Sequence, residues 1–250
     1  NRVLAMDLHT GQIQGFFNIL VDHIFATPIL VDYVNSLGLN PDEMVAVSPD
    51  MGGANRTRHF AKKLNIPMAI IDKRRDKHNE AIAAHIIGEV ENKICLMFDD
   101  IIDTAGTICE ASKLLKSKGA KAVYVGATHP VFSGPAIERL KNAPIEECIV
   151  TNTIPWSKED LPSNVKQLSV APLLGQAIAR IHDDESVSSL FGFEKEMKVK
   201  RVYTSFNKTL ISISSTLAIS TSFKIVGLIL PVSIKLTEFL EIFVNSANFS

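Results

Sequence analysis

The chain has 250 residues, 46% of them hydrophobic and 21% charged, and a formal net charge of −1. That composition suits one large globular domain or two small ones, and a charge so near zero offers no basic face for nucleic acid. Three cysteines, Cys95, Cys109 and Cys148, odd in number and in no Cys-x-x-Cys pair, argue against a zinc site or a disulfide framework and fit a reducing compartment.

Arg2–Met6 opens the chain as a short apolar run. Met44–Val47, Met68–Ile71, Ile94–Phe98, Ala122–Ala127, Ile145–Thr151 and Val165–Ser169 follow as candidate strands. Several are unbroken Val/Ile/Leu-type runs, the pattern of parallel strands covered by helices on both faces. Helical patterns lie between them: Ala54–Leu64 after a Gly-Gly pair, Thr107–Lys118 stopping at Gly119, Ala136–Asn142 and Ala171–His182. Strand and helix in alternation predict a doubly wound α/β fold, whose ligands bind at the carboxyl ends of the strands. From Glu194 the composition changes: Asp and His vanish while Ser, Thr and Ile rise. The most apolar run there, Ile225–Ile234, is ten residues with Pro231 inside. A spanning helix needs roughly 20, so no membrane association is expected. The tail is expected to be an appended segment, poorly ordered or loosely packed.

Ile94–Phe98 delivers the chain into Asp99-Asp100-Ile101-Ile102-Asp103-Thr104-Ala105-Gly106-Thr107, and a helical pattern begins at once. A small-residue turn offers backbone N–H groups and a helix N-terminus adds partial positive charge, so together they can hold a phosphate. Thr104 and Thr107 add hydroxyl donors, and Gly106 lets the backbone approach the anion closely. Asp99 and Asp100 repel phosphate but can accept hydrogen bonds from sugar hydroxyls. The combination suits a phosphorylated sugar. The plain alternative is an acidic loop with Asp103 or Thr104 capping the helix.

Three other strings stand near strand ends. Met6-Asp7-Leu8-His9-Thr10-Gly11-Gln12-Ile13-Gln14-Gly15-Phe16-Phe17 puts His9 where an imidazole can ligate a metal, touch a phosphate or serve an ordinary structural role. Val47-Ser48-Pro49-Asp50-Met51-Gly52-Gly53-Ala54-Asn55-Arg56-Thr57-Arg58 joins an acid, two glycines and a helix with two arginines, either a pyrophosphate cradle or a plain turn. Asp72–Asn79 carries Lys73, Arg74, Arg75 and Lys77 close together, the composition of a solvated loop. No GxxxxGK[ST], GxGxxG, HExxH or GxSxG pattern occurs.

The string Asp99–Thr107 resembles the phosphoribosyl pyrophosphate-binding signature of type I phosphoribosyltransferases and ribose-phosphate pyrophosphokinases. The His9 string, the Asp50 turn and the Lys73–Asn79 loop resemble the pyrophosphokinases, as do Ala127–Ala136 and Ser186–Phe191. The resemblance runs from residue 1 to about 191. Family members begin well before Asn1 and stop near the equivalent of Phe191, so the chain is expected to be a fragment. The resemblance implies a type I phosphoribosyltransferase-like, doubly wound and mainly parallel sheet flanked by helices. It makes residues 1–22 the remnant of a first domain and its crossover, 23–193 the catalytic domain and 194–250 an atypical tail.

The activity it implies is transfer of the diphosphoryl group of ATP to the C1 hydroxyl of ribose 5-phosphate, giving phosphoribosyl pyrophosphate and AMP, with Mg2+ as cofactor. By the same resemblance Lys73 and Arg75 fold over the ATP phosphates, Arg75 also meeting ribose 5-phosphate. Asp99 and Asp100 hold the ribose hydroxyls. Asp103, Thr104, Ala105, Gly106 and Thr107 wrap the 5-phosphate. His9 and Asp50, joined by Asp7 and Asp22, ligate magnesium. Asn18 stands where the family usually has an acid, and Asp76 where many relatives have Pro. A homo-oligomer regulated by phosphate and ADP is expected, in the cytoplasm or an organelle stroma. A nucleobase phosphoribosyltransferase would share Asp99–Thr107 without the His9 and Lys73 strings. A non-catalytic regulatory homologue would tend to lose Lys73, Arg75 and Asp103, all present here.

Overall fold

The computed structural model describes residues 2–74 and 83–190. The expected tail, residues 194–250, lies outside them. Two compact units emerge: Ala26–Ser169, and the residues up to Phe25 together with those from Val170 onward.

In the second of these units, β1 (Arg2–Met6) and β2 (Leu20–Ile24) pair in parallel, from Arg2 against Leu20 to Met6 against Ile24. A 3-10 helix, Gly11–Phe16, lies between them. The same unit contains α5 (Ala171–His182), with Pro172 in its first turn, where a missing N–H costs nothing.

The larger unit starts with α1 (Thr27–Ser36). It continues through β3 (Met44–Ser48), α2 (Ala54–Leu64), β4 (Met68–Arg74), β5 (Ala83–Ile87), β6 (Ile94–Ile102), α3 (Gly106–Ser117), β7 (Ala122–Pro130), α4 (Ala136–Asn142), β8 (Glu147–Thr151) and β9 (Val165–Leu168). The seven strands form one sheet in the order β5-β4-β3-β6-β7-β8-β9. All neighbours are parallel except β5, which returns antiparallel along β4 at one edge.

Alternation along the strands separates two apolar layers. Met44 and Ala46 of β3 and Ile94, Leu96 and Phe98 of β6 pack with Leu30, Val31 and Val34 of α1 and Phe60, Ala61 and Leu64 of α2. Val45, Val47, Cys95 and Met97 face the other way, against Ile108, Cys109, Ala111 and Leu115 of α3 and Leu140 of α4. Helices thus cover both faces, as the unbroken apolar strands require. Each fully buried side chain of this kind, Leu96, Leu115 or Leu140, contributes about 1.5–3 kcal/mol.

The doubly wound order has a consequence for binding. From β3 the chain passes through α2 to β4 on one side, and later returns to place β6 on the other. The reversal opens a crevice beyond the carboxyl ends of β3 and β6, where sheets of this kind bind ligands.

Candidate functional site

The crevice is built from two turns. After β3, Ser48 donates its hydroxyl to the carbonyl of Asp50 at 2.7 Å, and Asp50 Oδ1 accepts from the Gly53 N–H at 2.9 Å. A Cβ on Gly53 would meet Ser48 Oγ at 2.9 Å, so the tight return into α2 requires glycine. Asp50 itself is exposed, a carboxylate fixed by its own turn and open to solvent.

The second turn follows β6. The strand does not end at Phe98, as its apolar run suggests, but continues to Ile102, because β7 runs beside it and pairs Asp99 with Ala127 and Ile101 with His129. Asp99 and Asp100 are therefore strand residues. In the register Ala46 against Leu96, β3 ends level with Phe98, so both acids project past it. There they meet α2. Arg56 Nη1 donates to Asp99 Oδ1, and Arg56 Nη2 to Asp100 Oδ2 at 2.6 Å. Of the two arginines on this stretch, read as either a pyrophosphate cradle or a plain turn, Arg56 joins the two acids and Arg58 is exposed.

Asp100 is 4% exposed, and its guanidinium partner keeps that burial tolerable. Asp99 also takes the Asp100 N–H at 2.9 Å. Burial, and behind it the adjoining Asp100 side chain, push the Asp99 carboxyl up to about 6, against the pull of Arg56.

Beyond Ile102 the turn Asp103–Ala105 leads into α3. The capping alternative predicted Asp103 or Thr104 at the helix start. The cap is Ala105, whose φ of 58° is left-handed, and no side chain caps the helix. The first N–H groups of α3 are thus left for another partner. Thr104 and Thr107 are exposed, and Gly106 begins the helix. Asp103 Oδ1 accepts from Ser133 Oγ, and Arg139 Nη1 reaches the Thr104 carbonyl at 2.9 Å. Ser133 and Arg139 were not among the expected site residues. Ser133 lies in a string already singled out; nothing local marks Arg139.

In the smaller unit, the turn after β1 carries Asp7 and His9. Asp7 has φ of 41°, and its N–H bonds the Ile24 carbonyl at 2.9 Å. The Leu8 N–H donates to His23 Nε2 at 2.9 Å, so that nitrogen is an acceptor. Burial lowers the His23 pKa in agreement, with Asp7 opposing. His9 is exposed on this braced turn. Arg2 donates to both oxygens of Asp22, which leaves that carboxylate poorly suited to a metal.

Among the described residues no group of three or more His, Cys, Asp or Glu side chains could hold a metal alone. Magnesium is usually held by one or two carboxylates and by substrate phosphates, so a single fixed, exposed carboxylate such as Asp50 suits it. The Lys73 backbone belongs to β4, paired with Ala84. The Lys73 side chain, Arg75 and the rest of the cationic loop lie outside the described residues. No helix among the described residues is long and apolar enough to cross a membrane.

Comparison with known proteins gives concordant matches. A family model described as the phosphoribosyl synthetase-associated domain matches residues 77–192. A ribose-phosphate pyrophosphokinase of Synechococcus elongatus is 55% identical over 193 residues, 76% of this chain and 58% of the relative. A second from Clostridium perfringens is 53% identical, over 76% of this chain and 60% of the relative. "Ribose-phosphate pyrophosphokinase 2, chloroplastic" of Spinacia oleracea is 51% identical, over 76% and 49%. The crystal structure of phosphoribosylpyrophosphate synthetase from Mycobacterium smegmatis superposes with a TM-score of 0.67 and 40% identity, over 73% of this chain and 59% of that one. The chain spans less than two thirds of each of these proteins.

Proposed function

Because the chain belongs to the ribose-phosphate pyrophosphokinase family over 76% of its length, we propose that it binds ribose 5-phosphate and ATP and transfers the diphosphoryl group of ATP to the sugar. The observation that carries this reading is the pairing of two chemistries at one crevice. A carboxylate pair bridged by Arg56 stands beside a helix start that no side chain caps.

Asp99 and Asp100 accept hydrogen bonds from the ribose hydroxyls, with Arg56 holding both carboxylates in place. Asp103, Thr104, Ala105, Gly106 and Thr107 wrap the 5-phosphate through backbone N–H groups and hydroxyls. The C1 hydroxyl then attacks the β-phosphorus. A new oxygen–phosphorus bond forms, the bond from the β-phosphorus to the bridging oxygen of AMP breaks, and the hydroxyl proton passes to solvent. No covalent enzyme intermediate is needed, so catalysis reduces to positioning and charge neutralisation. Lys73 and Arg75 neutralise charge on the ATP phosphates, and losing one such cation costs about 10²–10³ in rate. Magnesium would be held in the larger unit by Asp50, with substrate phosphates, and would supply charge neutralisation on the diphosphoryl group; His9 is the candidate ligand that the smaller unit offers. Asp7 shares the turn with His9 and assists it. Asp22 is left out, since Arg2 occupies it. A homo-oligomer with phosphate or ADP acting at subunit contacts belongs to the same reading. So does a cytoplasmic or stromal location, where three free thiols stay reduced.

The test is calorimetric titration of ribose 5-phosphate, with magnesium, into the chain and into its Asp103→Ala variant, beside an assay for AMP released from ATP. Binding that disappears in the variant is expected. A folded parent chain that takes up no ribose 5-phosphate would sink the reading.

A further inference from the structure

Ile102, Asp103 and Thr104 present three successive carbonyls to one neighbouring segment. Phe132 donates its N–H to the Ile102 carbonyl at 3.1 Å. The Ser133 N–H reaches the Asp103 carbonyl at 3.1 Å, and Arg139 Nη1 the Thr104 carbonyl at 2.9 Å. Ser133 Oγ adds a bond to the Asp103 side chain.

Every peptide bond here is trans. In a trans peptide the C=O and the N–H of the next residue point in opposite directions. Carbonyls turned toward the segment 132–139 therefore turn the N–H groups of Asp103, Thr104 and Ala105 away from it. No hydrogen bond from these three N–H groups to another described residue is present.

The segment is itself anchored. Trp156 Nε1 donates to the Pro130 carbonyl at 2.8 Å, and the Trp156 and Phe132 rings lie 5.6 Å apart. His129 Nδ1 lies 2.9 Å from Thr153 Oγ1, whose hydroxyl bonds the Thr128 carbonyl. Phe132 is 3% exposed and has φ of 49°, so the chain accepts an unfavourable backbone angle to present these donors.

We propose that Ser133 and Arg139 are positioning residues for the sugar-phosphate site, a clamp in which, beside the Phe132 N–H on the Ile102 carbonyl, Ser133 holds the Asp103 carbonyl and side chain and Arg139 the Thr104 carbonyl, so that three consecutive N–H groups converge on the 5-phosphate. The proposal rests on the reading of Asp103–Thr107 as the phosphate loop and adds what shapes it. Neither residue touches the ligand; both act through the loop.

The test is calorimetry on the full chain with ribose 5-phosphate and, separately, inorganic phosphate, each with magnesium. Ser133→Ala, Ser133→Thr, Arg139→Met and Arg139→Lys are compared with the parent. Ser133→Ala and Arg139→Met should each weaken both ligands by about tenfold, the size of one lost hydrogen bond acting on a charged group. The two ligands should weaken by similar factors, because only phosphate contacts are disturbed. Ser133→Thr, which keeps the hydroxyl, should restore binding to within about twofold by the same reasoning. Unchanged affinity in folded Ser133→Ala and Arg139→Met proteins overturns the clamp while leaving the site's reading intact. A parent chain that binds neither ligand overturns the site's reading and the clamp with it. If Ser133→Ala does not fold, Arg139→Met decides alone, since Arg139 is exposed and its removal leaves α4 intact.

Discussion

Arg56 sits between two acids that burden the fold unequally. Asp100 is almost wholly buried, whereas Asp99 keeps 31% of its side chain in contact with solvent. Asp99 nonetheless has the raised pKa, near 6, because burial and its neighbour disfavour its charge. A carboxyl whose folded pKa lies above its unfolded value of about 3.9 holds its proton more tightly in the native state. Its contribution to stability is therefore present at low pH and is lost as pH rises from about 4 to about 6. Asp99→Asn should flatten that part of the stability–pH curve and raise the melting temperature at pH 7.5, by about 2–4 °C per kcal/mol gained. It should also weaken ribose 5-phosphate binding by at least about tenfold, if a hydroxyl partner is lost. Thermal melts between pH 4 and 8 check the first part. A variant less stable than the parent at pH 7.5 would contradict it. The sequence marked the two acids as candidate site residues, but gave no sign that Arg56 joins them. Its contacts lie more than 40 residues on and depend on which strand becomes the neighbour of β3.

Elements with strong period were readable to the residue: Ala54–Leu64, Ala136–Asn142 and Ala171–His182 form the helices their patterns predict. Two strands and one α-helix escaped. β2 reads Leu-Val-Asp-His-Ile, too short and too polar to stand out. α1 had a legible start in Thr27-Pro28 and a stripe at Leu30, Val31 and Val34, but its apolar run also reads as strand. β5 lies beside the cationic loop, whose composition dominates that region. β6 shows how pairing overrides propensity: β7 pairs with Asp99, Ile101 and Ile102, and Asp100 is carried along in the strand. The pairing of β6 with β7 depends on one missing side chain. A Cβ on Gly126 would meet the Phe98 ring at 2.7 Å, and that ring stacks on Phe60 with centroids 3.9 Å apart. Gly126→Ala should displace the stack and cost about 1–3 kcal/mol, measurable by urea unfolding. A variant within about 0.5 kcal/mol of the parent would mean that Phe98 moves aside without penalty.

Over the whole molecule, all three cysteines of the chain are buried free thiols. Cys95 and Cys148 are fully covered by the sheet and its helices. Burial pushes the Cys95 thiol up to about 12 and raises Cys109 and Cys148 as well. Since the thiolate is the reactive form, a thiol reagent at pH 8 should label the native protein only as fast as it opens. Three equivalents should react at once in guanidinium. Rapid stoichiometric labelling in buffer would show that the larger unit opens far more easily than its core predicts. Ribose 5-phosphate should slow the labelling further, by mass action on the native state.

The strand order that creates the crevice also constrains how the protein is born. β3 lies mid-sheet, yet Met44 cannot meet its partner Ile94 until α2, β4, β5 and the cationic loop between them have been made. Closing so long a stretch is slow, and during translation β3 and β4 present an unpaired inner edge made of apolar residues. The nascent chain is thus most exposed to misassembly between the synthesis of Ser48 and the arrival of Ile102. Pauses or chaperone contacts in that interval should govern how much folded protein a cell recovers.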